Sequence, residues 1–495
     1  NQSFQYISNF NNKSGDNMLR FILAAVFLLL TSVLQSDAYH NIPGFFGERA
    51  AGLGGAYTAV SDDVAGAFYN PGGLAFVQNT YYSVNASSYR TISEKHSNLF
   101  GPGQNYKRVS RNYMPNFIGF VRNVGKLSFG FTLANPTNEN FDQSDRIVLP
   151  IYRRNLTQLA VSVSQENFRL QAGPSIAYAL TDKLGIGLTA YYMYDSAKTV
   201  SSSNLSEVSG NVITLMEQER RRTSGIIPVL GLQYMLNEKL SFGASMKKTM
   251  VTGGNISTRS NVTVAGRTGG PSSITSQAGS QMGAIIVGTD PILTNPNTYK
   301  VPEVTETRFG TSFFASKRLM ISGDLIHTSG YKLAQSNFTY DPTRRAAVFG
   351  DPYSNSLKQM QTLNYAFGIE FYATESIVLR FGHFSNLANT EKISWLNAAA
   401  EAAIIQATSN RGAPATSITL PIDGSTGYTL PQKREQHISL KGYTFGIGFE
   451  TAKNSFSIIV SAQAGRGIAT IDRNQLPTVS TYNDVTFYVS GGTKN

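Results

Sequence analysis

The chain of 495 residues has no cysteine, one tryptophan and five histidines. The missing cysteine removes disulfide staples and thiolate metal sites, and it fits an exported barrel. His40, His96, His327, His383 and His437 lack neighbours arranged as a catalytic partner set, so the sequence points away from nucleophilic catalysis and calls for no metal or cofactor. Long apolar runs are also missing. Beyond residue 40 no stretch approaches the ~18–20 apolar residues of a membrane-spanning helix, which excludes a helical membrane protein. A Gly-rich stretch near residue 50 is not followed by Lys-Ser/Thr, so it is no phosphate loop. Two architectures remain, a secreted soluble β protein and a barrel whose strands escape hydropathy because lipid-facing and lumen-facing residues alternate.

What is present begins with an export signal. Met18, Leu19 and Arg20 precede an apolar run from Phe21 to Leu30, and Ser36-Asp37-Ala38 offers small residues for cleavage after Ala38. Residues 18–38 are therefore expected to be a signal peptide, with residues 1–17 set aside as sequence upstream of an initiator Met. Net charge is +11, and removing Lys13, Arg20, Asp16 and Asp37 with the leader leaves it unchanged. The cations are scattered, Arg220-Arg221-Arg222 being the densest group, so no nucleic-acid stripe forms. Acidic amphiphiles or anionic lipid headgroups are the expected attraction.

Strict period-two alternation is the clearest pattern, as in Leu127-Phe129-Phe131-Leu133 with Ser128, Gly130 and Thr132 between. It returns in Leu184 to Tyr194, Tyr365 to Phe371 and Tyr443 to Phe449, and 25 Tyr with 29 Phe suit aromatic girdles. A sandwich alternates too, so the turns arbitrate. Six short polar turns lie at 122–125, 181–183, 237–239, 316–318, 374–376 and 451–454. Seven longer connections lie near 91–113, 137–154, 196–224, 253–300, 334–360, 388–434 and 470–482. Short turns on one rim and long loops on the other predict an all-β transmembrane antiparallel barrel of about fourteen strands. Helical patterns are expected in two loops, 205–219 and 394–407. Val208, Val212, Leu215 and Met216 share one helical face in the first, and serve either loop-on-loop packing or the landing of a hydrophobic ligand.

Residues 39–79 read unlike a barrel. They contain Gly47 to Ala56, with Arg49, Gly52, Gly54 and Gly55, then Ser61-Asp62-Asp63, then Asn70-Pro71-Gly72-Gly73-Leu74. Ser61 is expected to cap one short helix and Asn70 to open another at Pro71. This stretch resembles the plug of the FadL-type family of outer-membrane transporters for long-chain fatty acids and aromatic hydrocarbons. The resemblance rests on Gly-x-Arg-Ala-x-Gly-x-Gly-Gly-Ala, Asp-Asp and Asn-Pro-x-Gly-Leu, with Gly72 where the family usually has Ala. It continues through Met114 to Phe117 on the second strand and Val301-Pro302-Glu303 on the eighth.

The resemblance implies a fourteen-strand barrel over 80–495, a plug or hatch over 39–79, capture of an amphiphile at the loops, and lateral exit through a kink in the third strand. Ala134-Asn135-Pro136 occupy that place, where Pro136 either kinks the strand or begins the loop. Lys198 and Lys332 lie near the strand ends that suit the family's basic ligand contacts, and each reads either as a solvated loop charge or as a partner for a ligand carboxylate. The chain departs from such barrels in following Val485-Thr486-Phe487-Tyr488-Val489 with Ser490 to Asn495 and no terminal aromatic. Glu370 and Arg380 both take lumen parity and are expected to pair diagonally, anchoring structure in the lumen. The expected function is passive uptake of a hydrophobic or amphipathic small molecule by a monomer among outer-membrane lipids, without nucleic acid or enzymatic chemistry. A general porin or a surface adhesin is the alternative.

Overall fold

The structure, a computed structural model, describes residues 40–42, 44–77, 80–97, 105–148, 156–207, 212–265, 301–334, 356–390, 421–422, 425–428, 437–469 and 478–494. The expected signal peptide and the 394–407 helix lie outside them. The strands are β1 (Thr80–His96), β2 (Tyr106–Val124), β3 (Leu127–Val148), β4 (Leu156–Thr181), β5 (Leu184–Glu207) and β6 (Val212–Asn237). β7 runs as Leu240–Lys248 and Met250–Ala265, interrupted at Thr249, with both parts pairing with β6. Then follow β8 (Thr305–Ser316), β9 (Leu319–Thr328), β10 (Thr362–Tyr372), β11 (Ile377–Asn386), β12 (Leu440–Glu450), β13 (Asn454–Ala469) and β14 (Thr478–Lys494). Every strand pairs antiparallel with its sequence neighbours, and β14 pairs with β1. The sheet is a closed fourteen-strand barrel. Two short ribbons stand outside it, Tyr331–Ala334 with Ser356–Gln359 and Pro421–Ile422 with Ser425–Tyr428.

Alternation explains why these sequences close around a lumen. On β12, Tyr443, Phe445, Ile447 and Phe449 are 37–55% exposed, while Gly442, Thr444, Gly446 and Gly448 between them face inward and are buried. Similar exteriors on the other strands form an apolar band suited to lipid, the architecture of outer-membrane barrels. Among the described residues no helix is long and apolar enough to cross a membrane. The six short turns stand where the sequence predicts them. Side-chain oxygens accept from the turn amides, as Asn237 does from Lys239 (2.8 Å) and Leu240 (2.9 Å), and Thr374 from Ser376 (3.2 Å) and Ile377 (3.0 Å).

The long connections differ from expectation because strands continue into them. β4, β5 and β6 have 26, 24 and 26 residues, against 10 in β11 and 11 in β12. At ~3.3 Å per residue and a tilt near 40°, this side stands roughly 35 Å taller than the other. The predicted helix over 205–219 is strand instead. Val212, Leu215 and Met216 lie on β6, paired with Ser206, Ser203 and Ser202 of β5, and cross-strand bonding satisfies the backbone that a helix would have satisfied locally. Val208 falls outside the described residues. Val301 to Glu303 precede β8 rather than lying on it, and Ser490 to Lys494 continue β14 against Asn85 to Tyr81.

Residues 40–77 run inside the wall as α1 (Glu48–Gly52), α2 (Gly66–Tyr69) and a 3₁₀ helix (Pro71–Phe76). This inner segment starts among Ile438, Asn386 and Thr362 near the tall-loop rim. It descends to Glu370 and Leu232, close to the short turns. Asn70 accepts from the Gly72 amide at 3.1 Å, as expected of a cap. Ser61 does not cap α2; its hydroxyl donates to the Tyr57 carbonyl at 2.7 Å, and Asp63 receives the Ala65 amide at 2.7 Å in its place.

The exterior band gives a direct test. Phe367, midway along the lipid face of β10, changed to Arg should lower folding stability in bilayers by about 2–4 kcal/mol, measured by reversible urea unfolding.

Candidate functional site

Charge holds the inner segment to the barrel near the short turns. Arg49 donates through Nε and Nη2 to both carboxylate oxygens of Glu370, at 3.0 and 2.9 Å, and through Nη1 to Asp62 at 2.6 Å. Glu370 also receives Arg380 Nε at 2.7 Å, and Arg380 reaches Glu450 and, at 3.2 Å, Ser457. Glu370 and Arg380 stand directly opposite across β10 and β11, not diagonally. Asp324 on β9 accepts from the Tyr57 and Thr58 amides at 3.0 Å each and from the Thr58 hydroxyl at 2.6 Å. Burial, followed by the charge of Asp62, pushes the Asp63 carboxyl up to about 6, opposed by Arg49.

Close backbone contact completes the anchorage. Gly54 has φ +63 and lies on the Gly382 backbone, and Gly72 lies so near Leu232 that a Cβ would come within 2.7 Å of its Cα. Asn70 Nδ2 donates to the Thr58 and Leu232 carbonyls at 2.7 and 2.9 Å, Pro71 follows it in the 3₁₀ helix, and the Gly52 carbonyl accepts from Thr444 at 2.8 Å. Gly55 packs against Phe45. Arg49, Gly52, Gly54, Asn70 and Gly72 thus meet the wall, whereas Gly55, Asp62 and Asp63 contact the inner segment itself.

Above this floor lies a packed apolar cluster containing Phe46, Phe68, Phe117, Tyr191, Met193 and Ile227. Two cations border it that sequence reasoning missed, Lys247 on β7 and Arg308 on β8. Lys247 Nζ stands 4.5 Å from the Phe68 ring centroid, and the Arg308 guanidinium 5.2 Å from that of Tyr69. Both pair with the single carboxylate of Glu306, at 3.2 and 2.8 Å, and Arg308 Nη1 has no partner among the described residues. The trio carries one surplus positive charge and one unused donor beside apolar side chains. Its signal in the sequence was Glu306-x-Arg308 at lumen parity.

The cluster also meets an interruption in the wall. The β2–β3 ladder ends at Phe117 opposite Ala134, although β2 extends to Tyr106 and β3 to Val148. Ala134, Asn135 and Pro136 are all buried, and the β3–β4 register shifts between Ala134 and Thr137, so the strand bulges instead of ending in a loop. With its amide nitrogen turned toward them, Asn135 donates to the Arg169 and Thr137 carbonyls at 2.8 and 2.7 Å. Beyond the bulge, side chains replace the ladder. The Asn140 amide donates to Asn112 Oδ1 at 2.7 Å, Ser110 donates to the Asn140 carbonyl, and Gln143 accepts from the Val109 amide at 3.2 Å and donates to the Lys107 carbonyl at 2.8 Å.

Other predicted residues stand apart. Lys198 faces Glu166 at 3.9 Å on the tall wall, where Met216 is exposed, and Lys332 lies in the short ribbon opposite Lys358. His96 shares a 2.6 Å hydrogen bond with Ser480 and lies 3.7 Å from Glu94, and all three are buried on paired strands.

No family model and no curated protein matches this chain. Solved structures do. The toluene transporter TodX of P. putida aligns over 92% of this chain and 99% of its own, at 10% identity with a TM-score of 0.53. A FadL homologue of Pseudomonas aeruginosa aligns over 91% and 99%, at 13% identity with a TM-score of 0.51. The chain has the FadL-type barrel fold. Within that fold, the anchored inner segment, the cationic pair and the interrupted wall meet around one apolar cluster.

Glu370 is buried and pairs with two guanidinium groups, Arg49 and Arg380, so Glu370→Gln should cost about 3–5 kcal/mol, read as a lower urea midpoint for unfolding.

Proposed function

We propose that this barrel takes up hydrophobic small molecules across the bacterial outer membrane, and that acidic amphiphiles such as long-chain fatty acids are the class it favours. The passenger enters from the tall rim, places its acid group against Lys247 and Arg308 and its chain along Phe68, Tyr191 and Met193. It leaves sideways between β2 and β3. The observation that carries this reading is the lapse of the β2–β3 ladder at Ala134, on the margin of the apolar cluster. A closed wall in lipid keeps its backbone groups paired, so a lapse bridged by side chains is a seam that opens at lower cost than a ladder.

Movement of the inner segment is part of the proposal. Tyr191 and Met193 are wholly buried, and the segment packs into the same cluster through Phe46 and Phe68. A passenger therefore displaces part of the segment, which acts as a plug; the stretch at Asn70-Pro71-Gly72 is held mainly by neutral hydrogen bonds, whereas Arg49 is held by buried charge. Uptake is passive, driven by consumption downstream. An uncharged hydrocarbon would make no use of the surplus cation, which is why an acid is favoured over the toluene of the structural neighbour.

Because the chain has no cysteine, a pair introduced by Asn112→Cys and Asn140→Cys stands alone for cross-linking. Uptake of a labelled long-chain fatty acid into cells should fall at least about tenfold when the pair is cross-linked by a reducible bridge and return on reduction, roughly a 1.4 kcal/mol effect or more. Unchanged uptake overturns lateral exit, and a steady open ionic conductance of the native barrel in planar bilayers would favour a porin. Arg308→Met should weaken fatty-acid binding by about tenfold while leaving an uncharged hydrocarbon unaffected.

A further inference from the structure

Toward the rim of long connections, the outer face of β12, β13, β14, β1 and β2 carries five cations, Lys441, Arg466, Lys95, Lys107 and Arg111, all exposed. Three share one register row, since Arg466 is paired with Thr481, Thr481 with Lys95, and Lys95 with Lys107. The acids of the same strands turn the other way. Glu94 and Asp484 are buried on the lumen face, where Asp484 holds Arg90 at 2.9 Å. Among the described residues none of the five outer cations enters an ion pair. Lys95 and Lys107 stand directly opposite each other on adjacent strands, an arrangement that destabilises a sheet unless an anion lies between them.

The height of this row identifies the anion. Phe456, at the foot of the lipid face of β13, and Arg466 are separated by about 25 Å along the barrel axis, taking ~3.3 Å per residue and a tilt near 40°. That is the height of the apolar band of a transmembrane barrel, so Arg466 lies where the outer-leaflet headgroups begin, and Lys95 and Lys107, on a row inclined by the same tilt, lie within about 10 Å of that level. Directly below it, Tyr443, Val485, Phe487 and Ile458 are exposed and apolar. A ligand that meets both surfaces has phosphate above and acyl chains beneath.

We propose that this face docks a phosphorylated lipid of the outer leaflet, with Arg466, Lys95 and Lys107 on its phosphate groups, Lys441 and Arg111 at the lower margin, and its chains along the apolar residues beneath. Adjacent strands are ~4.8 Å apart, which places two or three cationic heads within reach of one phosphate. The surface is separate from the lumen, so the inference does not depend on what the barrel transports. It adds a fixed lipid beside β2, the strand that borders the seam.

The test uses the purified full-length chain in detergent and counts bound lipid by native mass spectrometry. The probes are a bis-phosphorylated acylated disaccharide and its dephosphorylated counterpart with the same chains. The native chain should retain the phosphorylated lipid at least tenfold more strongly than the other. Lys95→Gln with Lys107→Gln and Arg466→Gln should remove that preference, and Lys95→Arg with Lys107→Arg should keep it. Heat-modified migration on gels establishes that each variant is folded, and charge loss at the opposite rim through Lys183→Gln and Lys239→Gln should leave binding unchanged. Equal retention of both lipids, undiminished retention by the triple Gln variant, or displacement of the lipid by millimolar inorganic phosphate would each overturn the proposal, the last by making the row a small-anion site.

Discussion

A chain segment in hydrocarbon has no water to accept or donate hydrogen bonds, so the backbone of every strand must find its partners in neighbouring strands. Closure of β14 on β1 follows from that requirement, and so does the interest of the place where the β2–β3 ladder stops. Beyond Ala134 the two strands remain adjacent, but Asn112, Ser110 and Gln143 do the work of a ladder through side chains. Each strand stays paired on its other side, so the register of neither depends on these bridges.

The inner segment is compatible with that wall because alternation gives the lumen small residues. Gly442, Thr444, Gly446 and Gly448 on β12 leave room for α1, whose Gly52 carbonyl accepts from the Thr444 hydroxyl. Into that space the chain brings a charged network centred on Glu370, where one carboxylate serves Arg49 and Arg380 together. Buried charge of this kind adds little net stability against apolar packing, yet it penalises any other docking, because an unpaired buried guanidinium is costly. Asp324 and Asn70 fix the middle of the segment in a similar way with neutral or singly charged bonds. The attachment is thus charged at Arg49 and neutral toward Pro71.

Electrostatics divides the molecule by face. Acids on the strands around β1 turn to the lumen, where Asp484 meets Arg90, whereas Lys441, Arg466, Lys95, Lys107 and Arg111 turn outward. The formal charge of +11 is therefore not a diffuse property of the surface. Part of it forms the outer row, and part of it, Lys247 and Arg308, sits over aromatic rings inside. The two sets face different solvents and answer to different partners.

The sequence by itself determined what depends on near neighbours. Period two fixed which side chains meet lipid, turn chemistry at Asn237 and Thr374 fixed the short rim, and Asn70 before Pro71 fixed a helix start. It misjudged the strands beyond the membrane, where Leu205 to Met216 have no apolar contrast between faces and only pairing with a neighbouring strand distinguishes extension from helix. Pro136 marked an irregularity but left open whether a loop or a bulge followed, because that choice rests on the register with β4. Tertiary structure alone brought Arg49 to Glu370 and Lys247 to Glu306, and set Lys95 opposite Lys107. Those encounters are set by barrel closure and register, which are properties of the whole sheet and have no local code.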